Sequence, residues 1–214
     1  MAAGDQLTRI SGSSFYWIDN QGKTLYYLEP EGASHRNAAG DLYKISIENQ
    51  RVKEPVLCDS QVSPKCAGFL ADGRFMYFKA FDQDKGLLYI DGIFVDKDVY
   101  ANDIGCDEAN KRVFYYTRHD AKTKNGTLKV FAGGKVTEIG QEVYSHLLLP
   151  GGDLLYLKDR SSSLGRSDLY LYKNRKSYMV DVDVTAIVPP VLPGDSREEY
   201  DPSSEESLKW TWRW

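Results

Sequence analysis

Few residues in this chain have the types and spacing that chemistry requires. There are three histidines, His35, His119 and His146. No H-x-x-x-H, C-x-x-C or H-E-x-x-H spacing occurs, so the sequence offers no metal site. His35, next to Arg36, and His119, next to Asp120, read as residues of polar loops, whereas His146 lies in an apolar stretch and reads as packed and hydrogen-bonded. Asp82, Asp84 and Gly86 form D-x-D-x-G, a fragment of a calcium loop without its third oxygen ligand and distal glutamate, and read as a solvated turn. Asp181 and Asp183 would alternate to one side of a strand, but nothing sets the separation that a glycosidase pair needs. The serine run 161–163 lacks a G-x-S-x-G elbow. Gly133-Gly134 is a hairpin turn rather than a phosphate loop, since no helix follows it. Asn125-Gly126-Thr127 fits a glycosylation sequon and equally a turn. No cofactor follows from any of these.

The elements that must position such residues repeat. LYYL at Leu25, FMYF at Phe75, VFYY at Val113 and LLYL at Leu154 each place a tyrosine third: Tyr27, Tyr77, Tyr115 and Tyr156, at steps of 50, 38 and 41 residues. A second set follows in phase, with DLYKI at Asp41, LLYI at Leu87, TLKVF at Thr127 and DLYLY at Asp168. Turn residues precede the first set at Gly22-Lys23, Asp72-Gly73, Asn110-Lys111 and Gly151-Gly152. Short strands at regular spacing, rich in tyrosine and bounded by turn residues, predict an all-β protein with no amphipathic helix. Four strands in about 40 residues is the size of a β-propeller blade, a unit that buries its faces only by stacking on its neighbours. The expected organisation is a lead-in over 1–14, four four-stranded blades over 15–188 (an open, partial or closed array), a Pro- and Ser-rich linker over 189–206, and a terminal strand over 207–214. In that terminal strand Leu208, Trp210, Trp212 and Trp214 share one face.

FLADGRFMYFKAFDQDKGLLYI and LLLPGGDLLYLKDRSSSLGRSDLYLY resemble TolB-like propeller repeats, and are similar to bacterial propeller domains found on secreted or membrane-anchored proteins. No Trp-Asp dipeptide closes the third strands, which disfavours the WD-repeat subtype. The resemblance implies a scaffold for partners, an extracytoplasmic or membrane-anchored parent, and no fixed catalytic set.

A net charge of −4 gives no global basic signal for nucleic acid, and no apolar run reaches the roughly 18 residues of a membrane span. Three cysteines make no disulfide framework, although Cys58 and Cys66 flank CDSQVSPKC, read as an inserted loop that a disulfide would close while Cys106 stays free. In a blade, the first-to-second and third-to-fourth turns lie on one face and here are tight. The second-to-third connections and blade crossings lie on the other, and read as long loops over 29–40, 80–86, 118–126 and 159–167. Function is expected on that elaborated face, at His35, Arg36, Asp82, Asp84, Arg118, His119, Lys122, Arg160 and Arg166, a set suited to a polar or acidic partner. The reading is a non-enzymatic binding or sensor module for a protein, peptide or glycan. Its alternative is a glycan-directed hydrolase or accessory carbohydrate-binding domain. A homodimer, or blades supplied by a longer chain, would complete the ring.

Overall fold

The structure is a computed structural model and describes residues 15–31, 38–48, 51–161 and 163–188. Among these the chain is all-β, with no helix. Its strands are β1 (Phe15–Ile18), β2 (Thr24–Pro30), β3 (Gly40–Glu48), β4 (Arg51–Val52), β5 (Val56–Phe69), β6 (Phe75–Asp82), β7 (Lys85–Ile90), β8 (Ile93–Asp107), β9 (Arg112–Asp120), β10 (Asn125–Ala132), β11 (Lys135–Leu148), β12 (Leu154–Lys158), β13 (Ser167–Lys173) and β14 (Lys176–Val184). Every pairing is antiparallel and follows chain order, with β4 only a short hairpin partner of β3. The lead-in, the linker, the tryptophan strand, His35 and Arg36 fall outside the described residues.

The long strands explain the repeat. β5 pairs first with β3 and then, past a register break, with β6. It is the outer strand of one blade and the innermost strand of the next. β8 and β11 do the same. The result is four successive four-stranded propeller-type blades. Equivalent residues recur at each crossing: Leu42, Leu88, Leu128 and Leu169 pair with Asp59, Asp96, Gly140 and Asp181, and Gly40, Gly86, Gly126 and Ser167 pair with Val62, Val99, Val143 and Val184. The residue before each valine has positive φ: Gln61 at 58°, Asp98 at 56°, Glu142 at 54° and Asp183 at 57°. These bulges bend the outer strand away from its own blade.

Period-two alternation sends one strand's side chains to two junctions. On β6, Phe75 and Tyr77 join the cluster shared with the first blade, while Met76 and Phe78 join the cluster shared with the third. On β9, Val113 and Tyr115 face back to that second cluster, and Phe114 and Tyr116 face forward to a third containing Leu154 and Tyr156. Each of these three clusters joins consecutive blades. None joins the first blade to the fourth among the described residues.

Polar rivets accompany the apolar packing. Asp59 on the first blade's outer strand accepts from the Tyr77 hydroxyl and Lys79 Nζ of the second, both at 2.7 Å. Asp96 accepts from Tyr115 at 3.2 Å and Lys129 at 2.8 Å in the third. At the third junction Gly140 stands in place of the aspartate. A Cβ there would lie 3.2 Å from the Tyr156 ring, which packs on the bare backbone. On the tight-turn face, Arg74 donates to the Lys111 carbonyl of the next blade at 3.1 Å, and its equivalent Arg112 donates to the Gly152 carbonyl of the one after.

Several sequence expectations need correction. CDSQVSPKC is not an inserted loop: it is the crossing strand itself, held between β3 and β6. Cys58, Cys66 and Cys106 are all free, because Cys58 lies before the bulge at Gln61 and Cys66 beyond it. Cys106 is half-buried. Two of the second-to-third connections are shorter than read, while those between β2 and β3 and between β12 and β13 stay long. β6 runs on to Asp82 and β9 to Asp120 through positive-φ residues, Ala80 at 47° and Arg118 at 53°, leaving two residues between β6 and β7 and four between β9 and β10. Asp181 and Asp183 do not share a simple alternating face, since the bulge at Asp183 breaks the register.

Candidate functional site

The bulged strand ends build the face opposite the tight turns. After each second-strand bulge comes one side chain at an equivalent place: Phe81, His119 and Arg160 follow Ala80, Arg118 and Asp159. After each crossing valine comes Ser63, Tyr100 or Tyr144. The two sets meet. His119 stacks on Tyr100 with ring centroids 3.8 Å apart and planes at 11°, and the Arg160 guanidinium lies 4.0 Å from the Tyr144 ring. One structural position is thus filled by Phe, His and Arg in turn, presenting three flat groups to one face.

Two adjacent clefts open there. The larger, about 480 Å³, lies between the second and third blades and is lined by Asp82, Asp84, Lys85, Asp98 and His119. The smaller, about 450 Å³, lies between the first and second and is lined by Gln61, Ser63, Lys79 and Phe81, with Ala80, Asp82 and Leu87 common to both. Both volumes suit a small ligand or a side chain of a larger one.

His119 has a buried Nδ1 with no hydrogen-bond partner. Burial and the nearby Lys85 lower its pKa, against the pull of Asp84, Asp103 and Asp120, so the imidazole is neutral at neutral pH. Beneath it lies a second polar cluster. Tyr116 and His146 Nδ1 share a 3.0 Å hydrogen bond, and Asp103 stands 3.8 Å from the same nitrogen. Burial lowers the His146 pKa against the pull of Asp103, and burial raises that of Asp103 against the pull of both histidines. His146 is packed and hydrogen-bonded, as its apolar surroundings in the sequence predict.

Below about pH 6.5 the unfolded chain takes up protons that folded His146 and His119 refuse, so stability decreases as the pH is lowered until the folded histidines titrate. Urea unfolding is expected to show a midpoint that drops with the pH through that window, with His146, the more buried of the two, the larger contributor. His146→Gln removes its share of the slope while keeping a side chain able to bond Tyr116. An unchanged slope in that variant would place the titration elsewhere.

The structure brings Asp82, Asp84 and His119 together and separates the rest. Arg118 is exposed, and its backbone N–H donates to Asp98 Oδ2 at 3.1 Å. Lys122 lies in a turn capped by Asp120. Arg160 and Arg166 belong to the fourth blade, Arg166 within 3.9 Å of Asp183. Tyr100, Asp98, Asp103 and Tyr144 were not singled out from sequence. The signal for them is the Val-Tyr pair at 99–100 and again at 143–144, each preceded by an acid. No three His, Cys, Asp or Glu side chains converge to hold a metal among the described residues.

No family model and no curated protein sequence matches the chain. Solved structures similar to it include TolB from Acinetobacter baumannii, at 13% identity over 81% of this chain and 45% of that one, with a TM-score of 0.36. Others are an acylaminoacyl peptidase complexed with a chloromethyl ketone (11% identity, 81% and 32% coverage, TM-score 0.43) and a 6-phosphogluconolactonase candidate from Bacteroides uniformis (16%, 84% and 57%, TM-score 0.36). The chain spans less than two thirds of the length of each. The blade assignment rests on the strand order and the repeated crossings described above.

Proposed function

We propose that the chain is a non-enzymatic binding module of TolB-like type that holds an extended, cationic ligand, such as a basic peptide segment, on its bulged-end face. The observation that carries this reading is the cleft between the second and third blades. There Asp82, Asp84 and Asp98 line the cleft with His119, and Lys85 is the one cation among the five residues named. The carboxylates favour positive charge, and the His119 ring, neutral at neutral pH, does not oppose it. The adjoining cleft extends the track past Phe81. This changes the partner expected from sequence: the arginines that suggested an acidic ligand lie apart, and the cleft itself is acidic. An extracytoplasmic setting belongs to the same proposal through the TolB-like repeats.

A lysine- and arginine-rich peptide is the direct probe. Asp84→Asn and Asp98→Asn are each expected to weaken its binding about threefold, with affinity falling as salt rises. The same loss from Asp91→Asn, on the tight-turn face, would refute the location. The second reading, a glycan ligand, draws on the ring faces of Phe81 and of stacked Tyr100 and His119. Glycan-array binding without response to Asp84→Asn would favour it, and turnover of chromogenic glycosides would refute the non-enzymatic assignment.

A further inference from the structure

The two ends of the blade array differ, and each reproduces one side of an internal junction. On the fourth blade, Asp181 occupies the place of Asp59 and Asp96, with the same local geometry. The next residue's N–H donates to Oδ1 at 2.8 Å in Asp59, 2.9 Å in Asp96 and 2.8 Å in Asp181. Asp59 and Asp96 then accept a tyrosine and a lysine from the following blade, whereas Asp181 is exposed and accepts no other described group. Beside it, Leu157 and Leu169 hold the positions filled by Leu28 and Leu42, Phe78 and Leu88, and Tyr116 and Leu128, pairs that the next blade covers; here Leu157 is buried and Leu169 half-buried. Val184, after the same bulge as three fully buried valines, is half-exposed.

The first blade carries the matching part. Tyr27 stands where Tyr77 and Tyr115 stand, facing away from the second blade. It stacks on Tyr43 at 5.2 Å and 12°, as Tyr77 does on Tyr89 at 5.3 Å and 9°. Glu29 replaces the lysine found at position 79 and lies across from Asp41. At the corresponding end of the fourth blade stand the exposed Arg160 and Arg166. Asp181 keeps the aspartate's place while Glu29 takes that of Lys79, so no lysine–aspartate rivet forms between these ends and the tyrosine–aspartate bond is the one they retain.

We propose that the fourth blade of one chain receives the first blade of a second copy, and that two chains close into an eight-bladed ring through two identical junctions. The contact joins unlike surfaces, so it must either close by rotation or propagate. Eight blades lie within the range in which propellers close. The occupant is a second copy because the tyrosine that fits Asp181, standing on Tyr43 as Tyr77 stands on Tyr89, comes from the chain's own opposite end.

Sedimentation velocity of the full chain over a dilution series is expected to show a species of twice the 24.2 kDa of one chain. Tyr27→Phe and Asp181→Ala each remove one charged hydrogen bond per junction. Each should raise the dissociation constant by about tenfold per junction, on the order of 100-fold for the ring. The double variant should be no weaker than either single one, because both remove the same bond. Circular dichroism of the monomers controls for folding, and Asp181 is exposed, so its truncation leaves the blade intact. A monomer at every concentration would overturn the proposal and leave the face to residues 189–214 or to blades of another chain. A dimer indifferent to both substitutions, or open filaments, would overturn it equally.

Discussion

Phe78→Ala is expected to lower the free energy of unfolding by about 3–5 kcal/mol. The ring is fully buried in the junction between the second and third blades, with Leu88, Val99 and Val113 in the same cluster and Phe81 edge-on at 5.6 Å. Relaxation is hindered. A Cβ on Gly86 would lie 3.1 Å from the ring, so the backbone of β7 already closes on it, and strands hydrogen-bonded on both sides cannot move in to fill the void. Because each blade contacts only its neighbours, the loss falls on the central junction and uncouples the two halves of the array. Urea unfolding followed by circular dichroism should therefore show a lower midpoint and a shallower transition. Val136→Ala, on an exposed outer strand, should change stability by less than about 0.5 kcal/mol. Equal effects of the two substitutions would contradict the assignment of the core to the junctions.

Arg112→Ala is expected to cost about 3 kcal/mol, the effect of stripping a buried carboxylate of its charge partner. The guanidinium pairs with Asp107 at 2.6 Å, whose side chain is only 6% exposed, and also caps the Gly152 carbonyl of the next blade. Asp107 would keep the Asn110 amide at 2.9 Å, which is too little to balance its burial. Burial alone would raise the Asp107 pKa, but the Asn110 and Arg112 hydrogen bonds outweigh it and hold the group below the usual carboxylate range. Its contribution is therefore complete above that range and disappears as pH falls through the depressed folded value. The gap between the wild type and Arg112→Ala should shrink near pH 3, and a gap that persists there would assign the cost to packing. Arg112→Lys should fall between the two, since a lysine keeps the charge but cannot span both acceptors.

The blade count, the second- and third-strand positions and the tight turns were legible because each rests on local chemistry: tyrosine in a pleated strand, and Gly, Asn or Asp where φ is positive. The crossings were not legible. CDSQVSPKC contains a proline and polar residues and reads as a loop, yet its backbone is satisfied by two different neighbours on either side of a bulge, which no local propensity encodes. The same bulges hid the site. Asp82 and His119 were found as polar residues near a connection. Asp98, Tyr100 and Asp103 sit on a crossing strand, and they meet His119 only because that strand takes up β9 at Val99 and Tyr100 and shifts register before Ile104. His146 was legible as a packed histidine, but its hydrogen bond to Tyr116, 30 residues away in the chain, depends on blade stacking.

The location of binding can be tested residue by residue by titrating a lysine- and arginine-rich peptide into the uniformly 15N-labelled full chain and following amide chemical shifts. Perturbations are expected at residues 80–86, 98–103 and 118–121, around the cleft that holds Asp82, Asp84, Asp98 and His119, with the turns at 72–73, 91–92 and 133–134 unmoved. Shifts centred on those turns, or spread evenly over both faces, would contradict the assignment of function to the bulged strand ends.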